Sequence, residues 1–112
     1  MPPTVRAAFE AELASADATT DLDEMWRCLE RAHILSQEWA WPHTRAHWHM
    51  FRLAARCRDR REMVGQVVRL LVAGPGSALG RSPRGNTGRT AVGLRTVMPV
   101  PPDLDRILAA SE

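Results

Sequence analysis

Lysine and tyrosine are both missing from this 112-residue chain, and all fifteen of its basic residues are arginine. Without an ε-amine there is no Schiff-base chemistry and no phosphate loop built around its lysine. Cysteine is scarce: Cys28 and Cys57 are too few for a disulfide framework and suit a reduced cytosolic chain. Long hydrophobic runs are lacking as well. The longest oily stretch, Val67 to Ala73, is interrupted by Arg69 and falls far short of the ~20 residues that a bilayer span requires. The N-terminal residues reach Glu10 and Glu12 without an unbroken apolar segment, so no signal peptide is expected. Together these absences point to a soluble, cytoplasmic protein.

What is present is ordinary for a globular chain, with 45% hydrophobic and 25% charged residues, and the length fits one domain over residues 1–112. Charge is unevenly spread. Residues 1–40 hold eight acids against three arginines, residues 41–100 eleven arginines against two acids, and the last twelve residues three acids and one arginine. Compensation between these stretches inside the fold is the simplest expectation, and steering of a charged partner is the alternative.

Apolar periodicity predicts helices. Val5, Ala8, Phe9 and Leu13 mark a short first helix over about Thr4–Ser15, with Thr4 as its cap. Asp21 caps a second, with Glu24 in a capping-box position, and Leu22, Met25, Trp26, Leu29, Ala32 and His33 form its inward arc up to Ser36 or Gln37. Trp39-Ala40-Trp41-Pro42 interrupts the pattern. A third helix restarts at His43 or Thr44 and reaches Arg58, with Trp48, Met50, Phe51, Leu53, Ala54 and Cys57 on its apolar arc and Arg45, His49, Arg52 and Arg56 on a solvated basic stripe. A fourth runs from about Glu62 to Ala73 and stops at Gly74-Pro75-Gly76. Residues 74–102 hold six of the seven glycines and five of the eight prolines, so they read as an irregular cover anchored by Ala78-Leu79 and Val92 to Val100, before a short helix over residues 103–110.

The fold expected is therefore all-α, with about four helices in two stacked, tetratricopeptide-like α-hairpins and a Gly/Pro-rich C-terminal segment. A faint offset of 38 residues, pairing Glu24 with Glu62, Met25 with Met63 and Arg31 with Arg69, supports stacking. The tetratricopeptide signature itself is not met.

All four histidines lie within seventeen residues: His33, His43, His47 and His49. His43 and His47, four apart, share one helix face at a separation suited to a single metal ion, and both fall in the apolar arc. His33 can supply a third ligand across the hairpin. Cys28 is the better sulfur candidate and Glu30 an oxygen donor, whereas Cys57 lies ~15 Å along the helix from His47. Such a His and Cys site suits Zn or Cu. Histidines beside a Trp-Pro junction also serve as helix caps or bridge aromatics, and a His-x3-His pair without an HExxH frame is a permissive pattern.

Other chemistries have less support. The stretch from Gly80 to Thr90 invites a phosphate-nest reading, but Pro83 stands where a P-loop needs glycine and Arg89 where it needs lysine, so a covering loop is favoured. Arg45, Arg52 and Arg56 with their neighbours form a basic stripe without a recognition-helix motif, which makes nucleic acid an unfavoured partner. No nucleophile elbow or partner pattern surrounds Ser77, Ser82, Cys28 or Cys57. A helical interaction module that docks a protein partner through Arg45, Arg52 and Arg56, or through the Trp39/Trp41 loop, is the alternative to metal binding.

Arg31-Ala32-His33-Ile34-Leu35-Ser36-Gln37, Trp41-Pro42-His43-Thr44-Arg45 with His47, Arg58-Asp59-Arg60-Arg61-Glu62, Pro75 to Arg81 and Gly85-Asn86-Thr87-Gly88-Arg89 occur together here. As a set they resemble a small bacterial family of uncharacterised domains of about this length, over about residues 5–108. The resemblance implies a stand-alone helical protein and no established activity.

Overall fold

Pro3 begins the first helix without help from any side chain. Its ring presets φ, and it has no N–H to satisfy in a turn whose donors are unpaired. In the computed structural model, which describes residues 1–78, 84–94 and 96–111 and gives 73–78 by backbone alone, α1 spans Pro3–Ala18 with Pro2 at the N-cap position. Thr4, expected as the cap, sits inside the first turn, and the helix runs three residues past Ser15.

Asp21 does cap α2, Leu22–Ser36: its carboxylate accepts the N–H groups of Asp23 and Glu24 at 3.0 and 3.4 Å. Glu24 does not close a capping box, because the Asp21 N–H donates to the Thr19 hydroxyl at 3.1 Å, and the Glu24 carboxylate takes Arg27 at 2.8 Å. α3 spans Ala40–Arg56 and starts three residues before His43. Pro42 is its third residue, still within the first turn, where a missing N–H costs nothing.

Arg58, at φ 55°, turns the chain after α3, and the Asp59 carboxylate accepts the Glu62 N–H at 3.1 Å, so α4 starts at Arg60 and not at Glu62. α4 continues to Ala78, through the Gly74-Pro75-Gly76 stop expected from sequence. Pro75 falls in the last turn of this helix. α5, Pro102–Ala109, is the short C-terminal helix.

The five helices found among the described residues pack in chain order as two hairpins, α1 with α2 and α3 with α4, joined by α2 against α3 and closed by α5 on α1 and α2. α2 therefore has neighbours on several sides. Cys28, Ile34 and Leu35 are buried beside the expected arc residues, while Leu22, at its start, stays exposed. Phe9, Leu13, Leu35, Met50 and Leu104 fill the core between the layers. On α3, Met50, Leu53 and Ala54 are buried, but Trp48 lies half-exposed against Phe51 and Cys57 is exposed at the C-cap. Arg31 locks three helices, donating to Glu12 of α1 at 2.7 Å and to both oxygens of Asp103 at the start of α5.

Among the described residues, those from 84 to 101 hold no helix. The segment is anchored by polar groups more than by the apolar residues expected to hold it. Asn86 donates to the carbonyls of Gly93 and Thr96, both at 2.8 Å, and accepts the Gly88 N–H at 2.9 Å. Leu94 and Val97 face solvent, Val100 packs on the core edge, and Leu79 lies outside the described residues. Among the described residues no helix is long and apolar enough to cross a membrane.

Candidate metal centre

His33 lies in the last turn of α2, His43 in the first turn of α3, and His47 one turn further on. The tight connection through Gln37 and Trp39, with the Trp39 N–H on the Ser36 carbonyl at 2.9 Å, folds the start of α3 back against the end of α2. The three imidazoles meet there. Their Nε2 atoms form a near-equilateral triangle: 2.9 Å from His43 to His33, 3.1 Å from His33 to His47, and 3.1 Å from His47 to His43. All three residues are buried. Among the described residues they form a group close enough to share an ion.

The outer nitrogens decide how the rings are protonated. Nδ1 of His33 faces the Asn86 carbonyl at 2.6 Å, which can only accept, so that nitrogen carries the hydrogen. Nδ1 of His47 faces the side-chain oxygen of Gln66 at 2.7 Å. That amide cannot be turned round, because its nitrogen donates to the Glu62 carboxylate at 3.0 Å and to the Gly88 carbonyl at 2.8 Å. His47 therefore also carries its hydrogen on Nδ1. A neutral imidazole holds only one, so Nε2 of both rings presents a lone pair to the other.

Burial, followed by the neighbouring rings, holds the His33 imidazole well below the usual histidine range, and burial brings His47 down to about 4 in spite of its bond to Gln66. Glu62 anchors this surround. It takes the Gln66 amide, the Arg89 guanidinium at 3.2 Å and the Thr90 N–H at 3.1 Å. Arg89 also reaches Glu30 at 3.2 Å and lies 3.8 Å over the Trp26 ring. Arg69 donates to the Gly65, Arg89 and Val92 carbonyls and so pins the loop to α4. Gly88, at φ +82°, lies over the cluster, where an added Cβ would stand 2.7 Å from Cδ2 and 2.9 Å from Nε2 of His33.

Of the residues picked out in the sequence, His33, His43 and His47 come together and Cys28 does not join them. The Cys28 thiol is buried, pushed up by desolvation and the nearby Glu12 and Glu24, and donates to Glu24 at 3.7 Å. Glu30 is engaged by Arg89, and His49, left out of the set on sequence grounds, lies outside the cluster. On the basic stripe, Arg45 pairs with Glu10 and covers the Phe9 ring, whereas Arg52 and Arg56 are exposed. Trp39 packs against the core edge and Trp41 is 71% exposed. Sequence reasoning missed Glu62, Gln66, Asn86 and Gly88 as supports. A readable signal existed on α4, where Glu62, Gln66 and Arg69 repeat at helical spacing within an otherwise aliphatic stretch.

No curated protein and no solved structure matches the chain. Residues 3–108, nearly its whole length, match the family described as a protein of unknown function, DUF3703, and the chain belongs to that family.

Proposed function

We propose that the protein is a non-catalytic metal-binding or metal-handling protein whose ion is held by Nε2 of His33, His43 and His47. One observation carries the reading: two lone pairs, on His33 and His47, face each other at 3.1 Å with their hydrogens committed elsewhere. The hydrogen that His43 can offer satisfies one neighbour, not both. Something positive belongs among the three nitrogens. A proton is disfavoured there at neutral pH, because burial opposes the imidazolium. A metal ion binds the neutral rings as they stand, and the bonds from Nδ1 to carbonyl oxygens are the supports that metal-bound histidines use to fix tautomer and orientation. Three imidazoles without a thiolate suit Zn, Cu, Ni or Co.

The test is thermal unfolding of metal-stripped protein with each of these ions in turn. A ligand that binds only the native state raises stability by about 2.7 kcal/mol at a hundredfold excess over Kd. The wild type is expected to melt higher with at least one ion and the double variant His43→Ala/His47→Ala to show no rise. Absence of a shift with every ion refutes the proposal.

A further inference from the structure

α4 turns its polar row inward and leaves its aliphatic row outside. Val64, Val67, Val68, Leu71 and Val72 are 42–74% exposed. At 100° per residue they fall within an arc of about 140°, a continuous stripe along roughly two and a half turns. Their spacing of three and four residues is the pattern by which one helix packs along another. Four of the five are valine, whose stiff side chain loses little freedom when covered. Together they expose roughly 400 Å² of apolar surface, as much as the largest patch on a typical monomer, and such patches mark interaction sites.

The stripe is complementary to itself. Its centre is Val68, so two copies packed antiparallel about a two-fold axis there set Val64 of each against Val72 of the other and Val68 against its own mate. The ends match as well. Arg56, Arg58, Arg60 and Arg61, all exposed, cluster at the joint where α4 starts, and Glu62, the only acid of this helix, is buried. A parallel pair would press two such basic ends together. An antiparallel pair brings each beside the carbonyl end of the other α4, where the helix dipole is negative. Met63 and Leu70, both half-buried, border the stripe on one edge. With these edges and the stems of Arg60 and Arg61, each copy contributes roughly 600 Å², about 1,200 Å² in all, which reaches the lower bound for a specific, stable pair.

We infer that the outer face of α4 is a homodimer interface, on which a second copy of this chain packs its own α4 antiparallel along residues 64–72. Dimerisation of this kind does not depend on the metal. Analytical ultracentrifugation of metal-stripped full-length protein is expected to show a reversible monomer–dimer equilibrium in the micromolar range, as suits an interface at the small end of its class. Leu71→Glu, at the most exposed position of the stripe, is expected to keep the helical circular dichroism of the wild type and to weaken the dimer about a hundredfold, since each copy would have to bury a carboxylate. Val97→Glu, equally exposed but on the loop, should leave the equilibrium unchanged. Orientation is read by oxidising single-cysteine reporters in a Cys57→Ser background. Val68→Cys should form a covalent dimer and Arg61→Cys should not, because antiparallel packing holds the two copies of position 61 about 21 Å apart, beyond the reach of a disulfide. A chain that stays monomeric up to millimolar concentration, a dimer that Leu71→Glu leaves as tight as the wild type, or ready cross-linking at position 61 overturns the inference.

Discussion

Gln66 has no exposed surface, and its two amide hydrogens go to the Glu62 carboxylate and the Gly88 carbonyl. What remains is one oxygen, aimed at His47. Its truncation, Gln66→Ala, frees the His47 ring to rotate and to change tautomer, and the loss of such an orienting partner lowers metal affinity roughly 10- to 100-fold. Stability falls too, by about 1–3 kcal/mol, because the Gly88 carbonyl and the Glu62 oxygen lose a buried donor. Competition with a chelator reads the first effect and urea unfolding the second. A variant that is less stable yet binds metal as tightly as the wild type would make Gln66 a packing residue only. The histidine triad was legible because His43 and His47 are four apart and His33 faces them across the hairpin. Cys28 lies apart from the triad because five residues before His33 is about 140° round an α-helix, toward α1 and its Glu12. Asn86 and Gly88 come from a loop some fifty residues downstream of His33, and no local periodicity reports such a contact.

The helices were legible wherever a repeat of three to four apolar residues met a recognisable stop, and their ends moved where proline was read too strictly. Pro42 and Pro75 both lie inside helices, Pro42 in a first turn that tolerates it and Pro75 in the last turn of α4. α4 departs further from the expected pattern. Its inward row is polar, with Glu62, Gln66 and Arg69 buried, while Val64, Val67, Val68, Leu71 and Val72 face outward. A reading that assigns apolar residues to the core inverts this helix, because what α4 contributes to the interior is hydrogen bonding to the histidines and the loop. Between the other elements Arg31 plays the comparable part. It is mostly buried and joins α2 to Glu12 of α1 and to Asp103 of α5, and its hydrogen bond, reinforced by its charge, holds the Asp103 carboxyl below its ordinary range. Arg31→Ala leaves Glu12 partly buried without its partner and is expected to cost about 1–3 kcal/mol. Urea unfolding should show the full loss in Arg31→Ala and little further loss when Asp103→Ala is added, since the second change removes a group that has already lost its partner. Additive losses would mean that the two act separately.

Part of the uneven charge along the chain is offset inside the molecule: Glu10 with Arg45, Glu12 with Arg31, and Glu30 with Arg89 each join an acid of the first forty residues to an arginine, two of them from the basic stretch. The histidines add a dependence on pH that acts on folding as a whole. In the unfolded chain each titrates near its ordinary value of 6.5, whereas in the metal-free fold His47 is held down to about 4 and His33 well below 6.5, burial being the first cause for both. Between those values the unfolded chain binds more protons than the folded one, so stability is fully present above about pH 6.5 and is lost as pH falls toward the folded values. His47 alone accounts for about 2 kcal/mol between pH 7.5 and 5, and His33 works in the same direction. His49, also lowered by burial, adds to the trend without belonging to the cluster. Stopping at pH 5 keeps the measurement above the range of Asp103 and Glu10, whose carboxyls are lowered by Arg31 and Arg45, while the Glu30 carboxyl, raised by burial, works against the trend at the acid end of the window. Urea midpoints of metal-stripped protein across this window should fall steeply for the wild type and less steeply for His47→Gln, in which one titrating ring is gone. Equal slopes would show that His47 is not the neutral, buried base that its bond to Gln66 requires.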